Sequence, residues 1–196
     1  MIKLIDLLEN KILVPRRSPE ERSKNYLIAT QKKIQQYMKD GSKGDLNLAG
    51  TPITSLPQGL KVKGKLDLYG SKITSLPQNL TVGGSLDLQN TPITSLPQGL
   101  KVKGALYLYK SKITSLPQGL TVGGDLYLNK TPITSLPQGL TVGDYLNLKN
   151  TLITTLPQDL KVGGSLDLRN TPLSKKYTEK QIQQMVPGVK GDIYLN

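Results

Sequence analysis

The chain has 196 residues and a formal net charge of +12, with no Cys, His, Trp or Phe. Without Cys or His there is no disulfide, thiolate nucleophile, imidazole base or zinc site of the usual ligand type, so most common catalytic devices are excluded. The charge invites an anionic partner, but Lys and Arg outnumber Asp and Glu by ten to five over residues 1–43, twelve to seven over 44–170 and four to two beyond, so no single basic block exists.

Residues 2–9 pattern as a short amphipathic helix, with KILVP as a connector. Asp6, Glu9 and Lys11 interrupt the apolar stretch, so no secretory signal is read there, and no run is long enough to span a bilayer. The expectation is a soluble, cytoplasmic-type protein, with a host cell or a virion as further settings. Ser18-Pro19-Glu20-Glu21 opens a longer helix, with a cap, a proline at the first helical position and acids facing the dipole. Leu27, Ile34 and Met38 share one face of it, and it should end near Asp40-Gly41. Arg22, Lys24, Lys32, Lys33 and Lys39 make a basic face, read chiefly as solvated. Residues 1–43 are thus expected to form a helical N-terminal cap.

From residue 44 to 170 the sequence repeats every 20 positions: GDLNLAGTPITSLPQGLKVK (44–63), GKLDLYGSKITSLPQNLTVG (64–83), GSLDLQNTPITSLPQGLKVK (84–103), with further units from Gly104, Gly124, Asp144 and Gly164. Units alternate between TP…KVK and SK…TVG at first, which gives a 40-residue superperiod. Apolar positions recur at the equivalents of Leu66, Leu68, Ile73, Leu76, Leu80 and Val82. Leu66 and Leu68 alternate with polar neighbours, so each unit supplies one short strand with its leucines inward. Proline after the next inward leucine (Pro57 and its equivalents) excludes a helix, so the return path should be extended or 3-10. The glycine pairs before each strand are expected to make a tight turn through positive φ, a duty that falls to Gly143 or Asp144 where the pattern breaks. Thr51, Ser71, Thr91, Ser111, Thr131, Thr151 and Thr171 form a column of small hydroxyls that should bond the backbone of the adjacent coil.

The pattern LxLxxTxIxxLPxxLxV resembles the 20-residue bacterial leucine-rich repeats of the YopM and IpaH effector type over about two thirds of the chain. That resemblance implies an α+β repeat protein: a right-handed leucine-rich-repeat solenoid with a parallel sheet on a concave binding face, a helical leader and no implied partner. The ubiquitin ligase domain of the IpaH family, which uses a cysteine, is not read in these 196 residues, so ligase activity is not expected of them. Residues 1–41 also resemble the leader of repeat proteins encoded by tailed phages, which makes a structural or assembly protein of a virus a rival expectation.

Residues 171–196 depart from the repeat, since 27 positions separate Gly164 from Gly191. Thr178 and Gln181 have capping-box spacing, Ile182, Met185 and Val186 make an apolar face, and Pro187-Gly188 stops the helix. GDIYLN then resumes the strand pattern. Its outer edge is either covered by this helix or open to weak self-association of an otherwise monomeric protein.

Three outward columns of the sheet carry six of the nine tyrosines. Tyr107, Tyr109, Tyr127 and Tyr145 fall on consecutive strands and should form one aromatic patch, with Tyr69 further toward the N-terminus. Lys110, Lys112, Lys130 and Lys149 border the patch, and Asp67, Asp87 and Asp45 lie toward the N-terminal end, so the face should run acidic, aromatic, basic. Asp67 and Asp87 are close enough for a carboxylate pair, but no third ligand accompanies them, so no catalytic residue, metal or cofactor is assigned. The expected function is non-enzymatic protein binding through Tyr69, Tyr107, Tyr109, Tyr127, Tyr145, Lys110, Lys130, Lys149, Asp67 and Asp87. The alternative is a nucleic-acid or anionic-polymer binder, with tyrosines stacking bases and lysines meeting phosphate, and no membrane partner is expected.

Overall fold

Leucines twenty residues apart lie side by side. In the computed structural model, which describes residues 18–195, Leu46 pairs with Leu66, Leu66 with Leu86, Leu86 with Leu106, and so on to Leu166, always in parallel register. One sequence repeat is therefore one coil of a parallel β-solenoid. The strands are β1 (Leu46–Asn47), β3 (Leu66–Asp67), β5 (Leu86–Asp87), β7 (Leu106–Tyr107), β9 (Leu126–Tyr127), β11 (Leu146–Asn147), β13 (Leu166–Asp167) and β14 (Ile193–Tyr194). They form an eight-stranded sheet in coil order.

The return path forms a second sheet that the proline argument did not anticipate. Six strands, β2 (Lys61–Val62), β4 (Thr81–Val82), β6 (Lys101–Val102), β8 (Thr121–Val122), β10 (Thr141–Val142) and β12 (Lys161–Val162), pair in parallel. The path is extended, and no 3-10 turn occurs in it among the described residues. Its cause is a second period-two pattern: Leu60 and Val62 are buried with Lys61 exposed between them. A Leu-Lys-Val or Leu-Thr-Val triplet is enough to make one half-buried strand per coil.

The six apolar positions per coil all face the interior. Leu66, Leu68, Ile73, Leu80 and Val82 are essentially inaccessible, and Leu76 is buried beside them. Burial of each such side chain contributes roughly 1.5–3 kcal/mol before the entropy of ordering the coil is set against it.

Before β1, Gly44 has the expected positive φ, 72°, but the glycines before the later strands of this sheet are needed for a different reason. None of Gly83, Gly84, Gly104, Gly123, Gly124, Gly143, Gly163 and Gly164 has positive φ, nor has Asp144. Instead, a Cβ on Gly83, Gly123, Gly143 or Gly163 would run into the carbonyl of the preceding coil. Close approach of backbones, not a left-handed turn, selects glycine there. The left-handed conformation lies just after each strand, at Gly50, Gly70, Asn90, Lys110, Lys130, Asn150 and Asn170.

The hydroxyl column also differs from expectation. Thr51, Thr91, Thr131, Thr151 and Thr171 each donate to the carbonyl three residues earlier in their own coil, at 2.6–2.7 Å. Ser71 Oγ and Ser111 Oγ are buried and make no hydrogen bond. The methyl group of threonine restricts χ1, and serine lacks that restriction. Elsewhere in the coil, the hydroxyls of Thr74 and Thr114 do donate to the carbonyls of an adjacent coil, those of Thr54 and Thr94.

Helix α1 (Pro19–Lys39) closes the first coil. Ser18 and Glu21 form the reciprocal capping box, Thr30 and Ile34 are buried, and Leu27, Tyr37 and Met38 pack on the same core. One of its polar side chains supplies what an earlier coil would have supplied, and another braces the turn before β1. Lys33 Nζ donates to the Asn47 carbonyl at 2.6 Å, and Tyr37 Oη donates to the carbonyls of Ser42 and Gly44 at 2.9 and 2.8 Å. Lys33 therefore belongs to the cap, not to a free basic face. The expected helix over residues 2–9 lies outside the described residues.

At the other end, Leu166 pairs with Ile193, so the 27-residue unit returns to register. The insertion folds as two helices, α2 (Pro172–Lys176) and α3 (Glu179–Met185), where one was expected. Thr178 and Gln181 make the predicted capping box. Ile182 and Val186 are fully buried, and α3 packs against β14.

Candidate binding face

Residues flanking the inward leucines of the eight-stranded sheet project outward in three columns. On the middle coils the structure gathers Tyr107, Tyr109, Tyr127 and Tyr145 with Lys110, Lys130 and Lys149. The rings of Tyr107 and Tyr127 stack at 5.1 Å with 12° between planes, close to the strand spacing of about 4.8 Å. Tyr145 meets Tyr127 edge-on at 5.8 Å. Lys110 Nζ and Lys130 Nζ lie 5.1 and 5.6 Å from the centre of the Tyr109 ring. Tyr109, Tyr127, Lys130 and Lys149, together with Gln89, Asn129 and Asn150, line an open hollow of about 550 Å³. Asn129 brings a buried side-chain oxygen with no hydrogen-bond partner among the described residues.

Tyr69 is not part of this group. It is 48% exposed, takes no part in the aromatic stack, and its N–H donates to Asp67 Oδ1. Asp67 and Asp87 are engaged too. Lys65 Nζ lies 3.2 Å from Asp67 Oδ2 and 3.9 Å from Asp87 Oδ2, and Asp87 accepts from the backbone and side chain of Gln89. The acidic stretch expected at the N-terminal end is thus partly offset within the face, by the one ammonium of Lys65.

At the C-terminal end the same economy appears in a residue pair that the sequence reading passed over. Asp167 is completely buried and accepts from Arg169 through its backbone N–H, Nε and Nη2, the last at 2.6 Å. Tyr145 Oη donates to the same carboxylate at 2.9 Å. Burial pushes the Asp167 carboxyl up, but the Arg169 hydrogen bonds outweigh it and hold the group below the usual range. Burial and then the bond to Asp167 push the Tyr145 phenol well above its ordinary value, and burial with Asp125 raises Tyr127. Tyr109 shifts the other way: Lys110, then Lys130, hold its phenol below the ordinary value. The alternation of Asp167 and Arg169 on one strand face was the signal that could have revealed the pair.

Lys110 and Lys130 have φ of 55° and 59°. Equivalent positions in other coils hold glycine or asparagine, which tolerate this region; a lysine there costs on the order of 1 kcal/mol.

Among the described residues no group of acidic side chains could hold a metal ion, and no helix is long and apolar enough to cross a membrane. Compared with known proteins, the chain matches no family model, and no curated protein matches it.

Proposed function

We propose that this chain is a non-enzymatic protein-binding module, a right-handed leucine-rich-repeat solenoid that docks a partner on the outer, concave side of its eight-stranded sheet. One observation carries the reading: Tyr107, Tyr109, Tyr127 and Tyr145 occupy solvent-side positions of consecutive coils, where the core requires no aromatic side chain. Tyrosine supplies large contact area at low entropy cost and is enriched among residues that dominate binding energy.

A second reading, binding of nucleic acid or another polyanion, is favoured by the lysines around Tyr109. Affinity capture from the source lysate with the wild type beside the Tyr107→Ser/Tyr109→Ser/Tyr127→Ser variant tests the first. Loss of one specific protein from a folded variant is expected. Retention of every captured protein, or capture of nucleic acid alone with steep salt dependence, overturns it.

A further inference from the structure

Three lysines beside the stacked tyrosines have no counterion among the described residues. Among the described residues, the cations elsewhere on the face are paired, Lys65 with Asp67 and Asp87 and Arg169 with Asp167. Lys110, Lys130 and Lys149 form no ion pair, and Lys130 and Lys149 line the hollow beside Tyr109. Asp125 and Asp144 lie at the opposite, N-terminal end of their strands from these lysines, and Asp125 accepts from the Tyr127 hydroxyl and the Tyr145 N–H. Two of the three lysines also hold a left-handed backbone conformation that asparagine fills at Asn90, Asn150 and Asn170. Positive charge is therefore kept at places where backbone geometry favours another residue, and within the described fold Lys110 and Lys130 meet only the Tyr109 ring, with no carboxylate.

We propose that this hollow receives an acidic segment of a partner protein, with glutamate or aspartate carboxylates meeting Lys110, Lys130 and Lys149. The proposal rests on the protein-binding reading above and adds the chemistry of the ligand. Charge calls for an anion, and the aromatic geometry selects the kind. A nucleic-acid base needs an open ring face to stack on. The facing sides of Tyr107 and Tyr127 are taken by each other, Tyr145 closes on Tyr127, and two ammonium groups lie over Tyr109. Stacking along the strand-to-strand direction turns ring edges toward solvent, while the Tyr127 and Tyr145 hydroxyls are held by Asp125 and Asp167. Ring edges carry the positive end of the aromatic quadrupole, so edges and ammonium groups together suit carboxylate oxygens.

The test is fluorescence anisotropy with a labelled peptide of alternating glutamate and serine, beside a labelled oligothymidylate of equal charge. Three proteins are compared: the wild type, Lys110→Asn/Lys130→Asn, and Lys101→Thr/Lys161→Thr. The second removes the lysines in favour of a residue that the same backbone position holds in other coils. The third removes equal charge from the other sheet, where Thr81 and Thr121 occupy the equivalent place. Saturable binding of the peptide by the wild type is expected, weakened about tenfold or more by Lys110→Asn/Lys130→Asn and changed less than about twofold by Lys101→Thr/Lys161→Thr. The melting temperature of Lys110→Asn/Lys130→Asn should equal or exceed that of the wild type, so its loss of binding is not loss of fold. No saturable peptide binding, equal weakening in both variants, or tighter binding of oligothymidylate overturns the proposal. If the peptide fails while the triple tyrosine variant still loses its captured protein, the acidic ligand is wrong and the docking face stands. If that variant keeps its partner as well, both fall.

Discussion

The middle and the ends of the eight-stranded sheet are built from the same twenty-residue unit, yet they treat charge in opposite ways. At the ends, Lys65 bridges Asp67 and Asp87, Arg169 pairs with Asp167, and Asp167 disappears from solvent altogether. In the middle, Tyr107 and Tyr127 stack and Lys110, Lys130 and Lys149 stay uncompensated among the described residues. The contrast teaches that on a solenoid, where packing is settled by the inward leucines, outward residues are free to serve either coil-to-coil cohesion or an external ligand. Paired ends serve the first, and the unpaired middle is left for the second.

The sharpest way to break this division is to remove one residue from each part. Asp167→Ala strips a buried acceptor from Arg169 and Tyr145 and should cost about 2–3 kcal/mol in denaturant unfolding, discounted from a fully buried pair because the Arg169 side chain is 39% exposed. Lys149→Ala should change stability by no more than about 0.5 kcal/mol. Comparable losses at both sites would abolish the distinction.

A smaller effect concerns the core and is indifferent to charge. Ser71→Thr and Ser111→Thr should each stabilise by about 1 kcal/mol, by supplying the hydroxyl bond that Thr51, Thr91 and Thr131 already make. If neither gains, the own-coil bond is not what favours threonine. Smaller again, Lys110→Asn and Lys130→Asn should each stabilise by about 0.5 kcal/mol through relief of the left-handed backbone, measured by the denaturation midpoint.

Titration distinguishes Tyr109 from Tyr145 by sign. Asp167, held low, contributes stability that is complete above the ordinary carboxylate value of 3.8 and is lost as pH falls through its lower folded value. Tyr145, held high, contributes stability that is complete below about 10 and is lost as pH rises through its folded value. Tyr109, held low by Lys110 and Lys130, ionises first in the folded protein and adds stability as pH climbs toward 10. Phenolate absorbance should therefore lose its earliest step in Tyr109→Phe and its latest in Tyr145→Phe. The reverse order would contradict the assignment of the two phenols to the open and the paired regions.

Much of the fold is legible because a solenoid repeats a single local decision. Twenty-residue spacing yields the coil, alternation around Leu66 and Leu68 yields the strand, and Ser18 with Glu21 and Thr178 with Gln181 yield the helix starts. The second sheet was equally written in Leu60-Lys61-Val62, but three residues of alternation are easily passed over beside a proline. The glycine pairs were legible as a constraint and misread as a turn, because what they avoid is a neighbouring coil and not their own backbone. The left-handed position was announced by Gly50, Gly70 and Asn90 and disguised by Lys110 and Lys130. The placement of Tyr107 beside Tyr127 follows from register alone. The bond from Tyr145 to Asp167 spans 22 residues and depends on side-chain rotamers, so spacing cannot show it.

The central claim is that the unpaired lysines and stacked tyrosines of the middle coils form the binding surface. Nitrogen–proton correlation spectra recorded while the glutamate–serine peptide is added test it most directly. Shifts should concentrate on Gln89, Tyr107 to Lys110, Tyr127 to Lys130 and Lys149 to Asn150. Shifts that fall instead on Lys61, Lys101 and Lys161 of the second sheet, or on α1, would contradict it.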